Sequence, residues 1–473
     1  MKKISLVLTA FLVGGWAQAQ IASVEDSKIL AGAILDAFNK GDGDAFIKLA
    51  DPEFLNAMGE ASLRGFAGSW KNAGQLMDPV LIHDVGEFRY FKFTIKKGEK
   101  SRETMMILGA GAKDKFFSLG LRGMPKPGKA PFTPKSDLTG SSPLDLAVKK
   151  ATDFYYWQQQ PVGTSIGILK DGRMSFYNFG ETAVDSGVMP TKNSIYEIGS
   201  ITKAFTGTML ARAVLDKKIS LDDDIRRYLP KGFEHLHWEG TPVTVRHLSN
   251  HSSGLPSSPK SISSESLFNP WKPLTREQLF EDLRTDKMVA KPGEKVEYNN
   301  LAVGLLGHII ADRYKTTYES LLKDMILKPV GMKNSGIHLT PAQFGAFVNA
   351  HNGSRKQTSW WNVNGAEAAG AVRSDAEDML KFASWVLDPK NKAAQLATTK
   401  TISAGPMLDL GLCWVLRKYR TVGRVYEHSG GTGGFTTQLV IAPDKKMAVV
   451  VLTNSFDSSP ENLASDILFL ASK

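Results

Sequence analysis

Ser200 and Lys203 stand three residues apart in the run Gly199-Ser200-Ile201-Thr202-Lys203. At that spacing a hydroxyl and an amine meet on one face of a helix. An amine so placed takes the serine proton or holds it polarised, which turns serine into a covalent nucleophile. Ile201, Phe205, Met209 and Ala213 follow at intervals of four and predict a helix face turned toward a core. Gly199 permits a tight entry, and the first helical turn leaves amide donors unpaired. The competing reading is a serine that caps a core helix, with Lys203 solvated. S-x-x-K by itself does not choose, and a second copy, Ser257 to Lys260, carries Pro259 inside Ser/Pro-rich sequence and reads as loop.

Two further segments choose. Tyr298-Asn299-Asn300 precedes the apolar run Leu301 to Gly307 and brings a phenol able to exchange protons and a carboxamide able to orient a lysine or a carbonyl. His428-Ser429-Gly430-Gly431-Thr432-Gly433-Gly434 precedes a strand-like run, Thr436 to Ala442. S-x-x-K, then Y-x-N, then a K-T-G-like triplet, in that order, resembles the serine β-lactamase and penicillin-binding protein superfamily. Tyrosine in the second motif is similar to the branch of class C β-lactamases, DD-peptidases and esterases. Leu221 to Asp224, Thr244 to Leu248, His251 to Pro256 and Arg373 to Met379 also resemble that branch, and the likeness spans roughly residues 143–473.

The resemblance implies an α/β, β-lactamase/DD-peptidase-like fold, in which an antiparallel sheet flanked by helices joins a mostly helical portion and the site lies between. It implies Ser200, Lys203 and Tyr298 as catalytic residues, with Asn300, His428, Gly430 and Gly431 binding or orienting substrate. By the same analogy the amides of Ser200 and Gly431 form the oxyanion hole. Which of Lys203 and Tyr298 is the base stays open. His428 stands where class C β-lactamases and most penicillin-binding proteins carry lysine. A histidine near neutral pH is a weaker anchor for a substrate carboxylate than a fixed cation. Ester hydrolysis, cleavage of D-amino-acid peptides or amides, and β-lactam hydrolysis remain the candidate reactions, with a penicillin-sensing module that acylates without turnover as the alternative. Ester, peptide or β-lactam small molecules, cell-wall peptide among them, are the expected partners.

Other chemistries fit less well. Gly163-Thr164-Ser165-Ile166-Gly167 matches G-x-S-x-G, but Asp171-Gly172 between two apolar runs signals a hairpin, so Ser165 reads as a strand residue. His247 and His251 lack the intervening Glu of H-E-x-x-H, and His235 and His237 have no clustered partners, so no metal and no cofactor is expected. These histidines read as structural or surface residues. The net charge of +10 is scattered, which argues against nucleic acid.

Lys2-Lys3, the apolar run Ile4 to Trp16 and Ala17-Gln18-Ala19 read as a signal peptide over residues 1–19, implying a periplasmic or secreted enzyme. No later run is long and apolar enough for a membrane span. The single cysteine, Cys413, forms no internal disulfide and is expected to be buried. Residues 123–142, with Pro125, Pro127, Pro131 and Pro134, read as an extended linker. It divides a serine hydrolase domain, 143–473, from a smaller α+β domain, 20–122. There Asp26 to Asn39, Asp44 to Ala50 and Leu63 to Leu76 pattern as helices. Strands follow near 80–85, 88–96, 103–108 and 116–121. This order resembles the nuclear transport factor 2-like cone and suggests an accessory domain through which the chain could form a homo-oligomer. His83, Asp84, Phe88, Tyr90 and Phe91 there line a pocket or, more simply, a core and a sheet face. Phe268 and Trp271, and the pair Trp360-Trp361, either rim the cleft or pack inside.

Overall fold

Met447–Thr453 reads Met-Ala-Val-Val-Val-Leu-Thr, the near-continuous apolar pattern of a strand covered on both faces. In the computed structural model, which describes residues 21–111, 114–124, 133–262, 269–405 and 408–473, all of it is buried. It pairs antiparallel with Gly163–Lys170 on one side and Thr436–Ala442 on the other. An eight-stranded antiparallel sheet results, in the spatial order 402–405, 408–410, 415–419, 423–431, 436–442, 447–453, 163–170, 173–180. Its strands come from opposite ends of the domain, as the sequence suggests.

Alternation along each strand feeds two cores. Ile166, Ile168, Val449 and Val451 pack with Tyr155 and Ile467 of the helices Pro143–Gln158 and Pro460–Ala471. Ala448, Val450 and Leu452 point the other way, toward Phe205 and Met209 of Thr202–Leu215 and Leu380 of Ala376–Leu387. The segment between roughly 200 and 400 is mostly helical and includes the Asn300–Arg313 helix.

Residues 24–123 form helices followed by a four-stranded antiparallel meander, Gln75–Asp84, Arg89–Lys97, Lys100–Ala110 and Phe116–Gly123. One helix was not anticipated: Pro52–Met58 begins at an Asp-Pro step, where the Asp51 carboxylate accepts from Glu53 N at 2.9 Å and proline occupies the first turn. One sheet face closes over Phe38, Phe46 and Phe54. The other turns Val85, Phe88 and Tyr90 toward the part that carries the eight-stranded sheet, where they share a core with Tyr419 and Phe469. His83 Nε2 lies 3.1 Å from the Asp466 carboxylate, and Tyr90 Oη donates to it at 3.3 Å. The Glu87 carboxylate accepts from Arg420 N and Thr421 N, both at 2.9 Å, and from Thr421 Oγ1 at 2.6 Å. His83, Phe88 and Tyr90 therefore serve the contact between the two parts, while Phe91 belongs to the inner core.

The expected signal peptide, 1–19, and Pro125, Pro127 and Pro131 of the expected linker lie outside the described residues. The described part of that linker is pinned rather than free. Gly180 N donates to Lys135 O at 2.8 Å, and the Asp137 carboxylate accepts from Asn178 N at 2.7 Å and Asn178 Nδ2 at 2.6 Å. These bonds cover the outer edge of the Arg173–Gly180 strand, an edge that would otherwise be open to another chain.

Candidate active site

The Tyr196–Glu197 strand runs into a single 3₁₀ turn, Gly199–Ile201, which continues as the Thr202–Leu215 helix and places Ser200 at the bend. Gly199 has φ +51°, and a Cβ there would lie 2.7 Å from Gly431 N. A Cβ on Gly430 would lie 1.9 Å from Ile198 O. The glycine-rich end of the Gly423–Gly431 strand thus packs backbone to backbone against the turn that carries Ser200. Thr437 Oγ1 donates to Ile198 O at 3.0 Å and fixes the same contact.

Lys203 is fully buried, and its Nζ donates to Ser200 Oγ at 3.0 Å and to Ala369 O at 2.5 Å. Burial pulls its pKa down to about 7, with no carboxylate contributing to the shift. The Ala369 carbonyl is held from two sides. Thr206 Oγ1 donates to Ala368 O at 2.8 Å, and Val372 N donates to Thr202 Oγ1 at 3.1 Å. Gly304 and Gly307 let the Asn300–Arg313 helix close on this segment, since Cβ atoms there would lie 2.9 and 2.3 Å from the Cβ atoms of Ala366 and Ala368.

Tyr298 faces the cleft with 47 % of its surface open, and its ring centre lies 4.8 Å from Lys203 Nζ. The surrounding protein pushes its pKa up, and the Ser200 hydroxyl opposes that shift. The phenol is neutral at physiological pH and keeps its proton. Behind it His251, at φ +61°, packs its ring 4.7 Å from the Tyr298 ring. Its Nδ1 accepts from Asn299 N at 3.2 Å, and burial, then Lys203 and His428, lower its pKa to about 3. Sequence reasoning left His251 among structural or surface residues; it is structural, and its place is the back of this site. The signal was its occurrence in His251 to Pro256, a phrase resembling the family.

Asn300 opens its helix, and its backbone N donates to Ser257 O at 2.8 Å. Among the described residues, the second partner of Lys203 is Ala369 and not Asn300. The neighbouring Asn299 is the buried cap, accepting from Ala302 N at 2.7 Å and donating Nδ2 to Leu255 O at 2.8 Å.

His428 is 4 % exposed, and burial, then Lys203, lower its pKa to about 3. Its Nδ1 donates to Ser429 O at 2.7 Å. A carbonyl only accepts, so Nδ1 carries the proton and Nε2 keeps its lone pair. His428 is therefore a neutral imidazole whose Nε2 can accept a hydrogen bond.

Other candidates resolve plainly. Ser165 sits within the Gly163–Lys170 strand with Oγ 3.0 Å from Tyr196 Oη, which removes the nucleophile-elbow reading. Lys260 of the second S-x-x-K pairs with Asp286. Trp271 packs in the core, Trp360 packs on Phe344 and Phe347, and Phe268 lies outside the described residues. Trp361 borders the glycine-rich segment, since a Cβ on Gly433 would lie 2.5 Å from its Nε1. Cys413 is buried, and its thiol is pushed up to about 12. No group of three potential metal ligands and no helix long and apolar enough to cross a membrane occurs among the described residues.

A sheet and a helical portion meet at a serine–lysine pair, with a tyrosine and a glycine-rich strand opposite, which is the make-up of a serine hydrolase. Residues 144–472 match the family model described as Beta-lactamase, and the chain belongs to that family. It is 29 % identical over 339 residues to the D-alanyl-D-alanine-carboxypeptidase/endopeptidase AmpH of Escherichia coli (strain K12), covering 68 % of this chain and 86 % of that protein. With a β-lactamase of Providencia stuartii the identity is 24 % over 351 residues, 65 % of this chain and 86 % of that one. The octameric penicillin-binding protein homologue from Pyrococcus abyssi superposes with a TM-score of 0.61 at 28 % identity, over 68 % of this chain and 76 % of that one. A β-lactamase/D-alanine carboxypeptidase from Yersinia pestis shares the fold, with a TM-score of 0.62 at 24 % identity over 69 % of this chain and 98 % of that one. The family match begins at residue 144 and leaves the first part of the chain unassigned.

Proposed function

We propose that the chain hydrolyses esters or D-amino-acid peptide and amide bonds through an acyl-enzyme on Ser200. The observation that carries this reading is the 3.0 Å contact between Ser200 Oγ and the buried Nζ of Lys203, whose pKa lies near 7 without a carboxylate partner. Lys203 takes the Ser200 proton as Oγ attacks the acyl carbon. The carbonyl oxygen gains the negative charge and faces the amides of Ser200 and Gly431. Tyr298, neutral and open to the cleft, gives its proton to the departing oxygen or nitrogen as that bond breaks, and recovers one from Lys203. Water then attacks the acyl-enzyme by the reverse route, and Ser200 regains its hydrogen. In this reading Lys203 is the base and Tyr298 the acid, while Asn300, Gly430 and Gly431 border the substrate and His428 receives a hydrogen bond from it.

Cell-wall peptide is a fitting substrate class, since the relatives include a D-alanyl-D-alanine carboxypeptidase/endopeptidase. It agrees with export guided by residues 1–19. A β-lactamase reading draws on relatives of that name, and the neutral His428 argues against efficient binding of the β-lactam carboxylate. Residues 20–122 are read as a supporting domain without chemistry of its own. The test compares the protein with Ser200→Ala on p-nitrophenyl butyrate, a D-Ala-D-Ala peptide and nitrocefin. Ester or peptide turnover that disappears in the variant supports the reading. Equal rates in both proteins, or none in either, overturn it.

A further inference from the structure

Glu197 lies two residues before Gly199, pairs across a short strand with Arg373, and is 3 % exposed. Its Oε1 accepts from Trp361 N at 2.6 Å and lies 3.6 Å from the Arg373 guanidinium. Arg373 in turn donates to Ile337 O, to Trp361 O at 2.8 Å and to Asn362 Oδ1 at 3.3 Å. Glu197 and Arg373 thus grip the Trp361 segment by both its amide and its carbonyl. On the other side stands Thr432, inside the glycine-rich segment and 2 % exposed. Its hydroxyl favours the ionised carboxylate, yet neither Thr432 Oγ1 nor Glu197 Oε2 completes a hydrogen bond. Trp361 Nε1 and Arg373 Nε in the same group are buried without partners as well.

Leaving buried polar atoms unpaired is costly, and functional sites are where such cost persists. Plain structure would be served by an apolar cluster of the same volume, which is often as stable as a buried ion pair. The location is specific: Glu197 precedes the turn carrying Ser200, Thr432 follows Gly431, and Trp361 borders Gly433.

We propose that Glu197 is a positioning residue for acyl transfer, its ionised carboxylate holding the Trp361 segment against the glycine-rich strand so that Gly431 keeps its place against the Ser200 turn. The inference rests on Ser200 being the nucleophile. Among the described residues, Arg373, on the paired strand, is the charged group that acts most on Glu197, while its other partners, Trp361 and Thr432, are uncharged. Burial raises the Glu197 pKa to about 7, and Arg373 opposes the shift. Protonation removes the charge that binds Arg373 and weakens the acceptor for Trp361 N.

The test uses the full chain labelled with ¹⁵N-tryptophan, the Trp361 amide being assigned by its loss in Trp361→Phe. In the wild type that amide should titrate with a midpoint near 7, and in Glu197→Gln it should not. Thr432→Val keeps the carboxylate and should move the midpoint upward. In parallel, log kcat/KM on an ester should fall with a slope of about 2 on the acid side, because Lys203 and Glu197 must both be deprotonated, and about 1 in Glu197→Gln. An unchanged amide titration in the Gln variant, a flat wild-type titration, or a wild-type slope of 1 overturns the proposal. Should Glu197→Gln fail to fold, the wild-type and Thr432→Val titrations decide alone. The amide readout needs no turnover, so failure of the Glu197 contact shows there, whereas an inactive wild type with a normal amide titration marks failure of the Ser200 reading on which the inference rests.

Discussion

Lys203 and Tyr298 face each other with the amine 4.8 Å from the ring centre, and the surrounding protein drives their proton affinities in opposite directions. The amine becomes easier to deprotonate and the phenol harder. On the proposed mechanism, activity belongs to the form with neutral lysine and neutral tyrosine. Ester kcat/KM should rise with pH through about 7 and decline only in the strongly alkaline range. Lys203→Arg keeps a fixed cation and should lose roughly 10²–10⁴-fold in kcat. A profile that is flat between pH 5 and 8 would remove Lys203 from the role of base.

The same burial makes Lys203 a liability for the fold. Its folded pKa is depressed from 10.5 to about 7. Between those values the unfolded chain holds the proton and the native one does not, so this group's contribution to stability rises with pH across that window. Below pH 7 the native state must carry a buried charge. Lys203→Met should be inactive yet more resistant to heat or denaturant at neutral pH, with its advantage shrinking toward pH 10. Equal denaturation midpoints for the two proteins at pH 7 and pH 9 would contradict this.

His428→Lys would put a cation near Lys203 and replace an acceptor with a donor. Nitrocefin turnover relative to p-nitrophenyl butyrate should rise at least about tenfold, as expected for a new charge-assisted bond of roughly 1.5–3 kcal/mol. The acid limb should also shift to lower pH. Steady-state kinetics on both substrates check each part.

Gly430 and Gly431 separate steric need from chemistry. A Cβ on Gly430 collides with Ile198 O and Thr437 Oγ1, whereas one on Gly431 meets nothing within 4 Å. Gly430→Ala should lower thermal stability and activity together. Gly431→Ala should melt like the wild type, and any loss of turnover there reports occupation of that space by substrate. Calorimetry beside kinetics distinguishes the two.

Removing residues 20–142 should leave an aggregating protein. Tyr419 and Phe469 would lose the cover of Phe88, and the Arg420 and Thr421 amides would lose Glu87. Glu87→Ala in the whole chain, which removes the buried carboxylate that accepts from the Arg420 and Thr421 amides, should cost about 1.5–3 kcal/mol. Denaturant unfolding of the variant measures it.

Ser200, Lys203, Tyr298 and the Gly430-Gly431 pair were legible because they sit in local patterns: a helix start, the turn before a capped helix, a glycine-rich strand end. The doubly covered strand Met447–Thr453 announced itself by its unbroken apolar run. What the sequence did not disclose depends on through-space neighbours. Nothing near Ala369 marks its carbonyl as a partner of Lys203, since that contact exists only after Gly304 and Gly307 admit a helix against the segment. Asn300 drew attention as the third residue of a familiar triplet, while Asn299 makes the buried cap. The aromatic face of the first sheet has the alternation expected of any sheet; its partner, the Pro460–Ala471 helix, lies at the far end of the chain.

The pairing of Thr164 with Thr453 and of Lys170 with Met447 sets a schedule for synthesis. A ribosome extending the chain at about 5–20 residues per second needs on the order of tens of seconds between making these two strands. Throughout that interval the Gly163–Lys170 and Arg173–Gly180 hairpin has one side without its neighbour, and the sheet behind Ser200 stays incomplete. Ser200 is thus made well before the strand that completes the sheet behind it, so a chain that stops short of Met447–Thr453 carries the motif without its support.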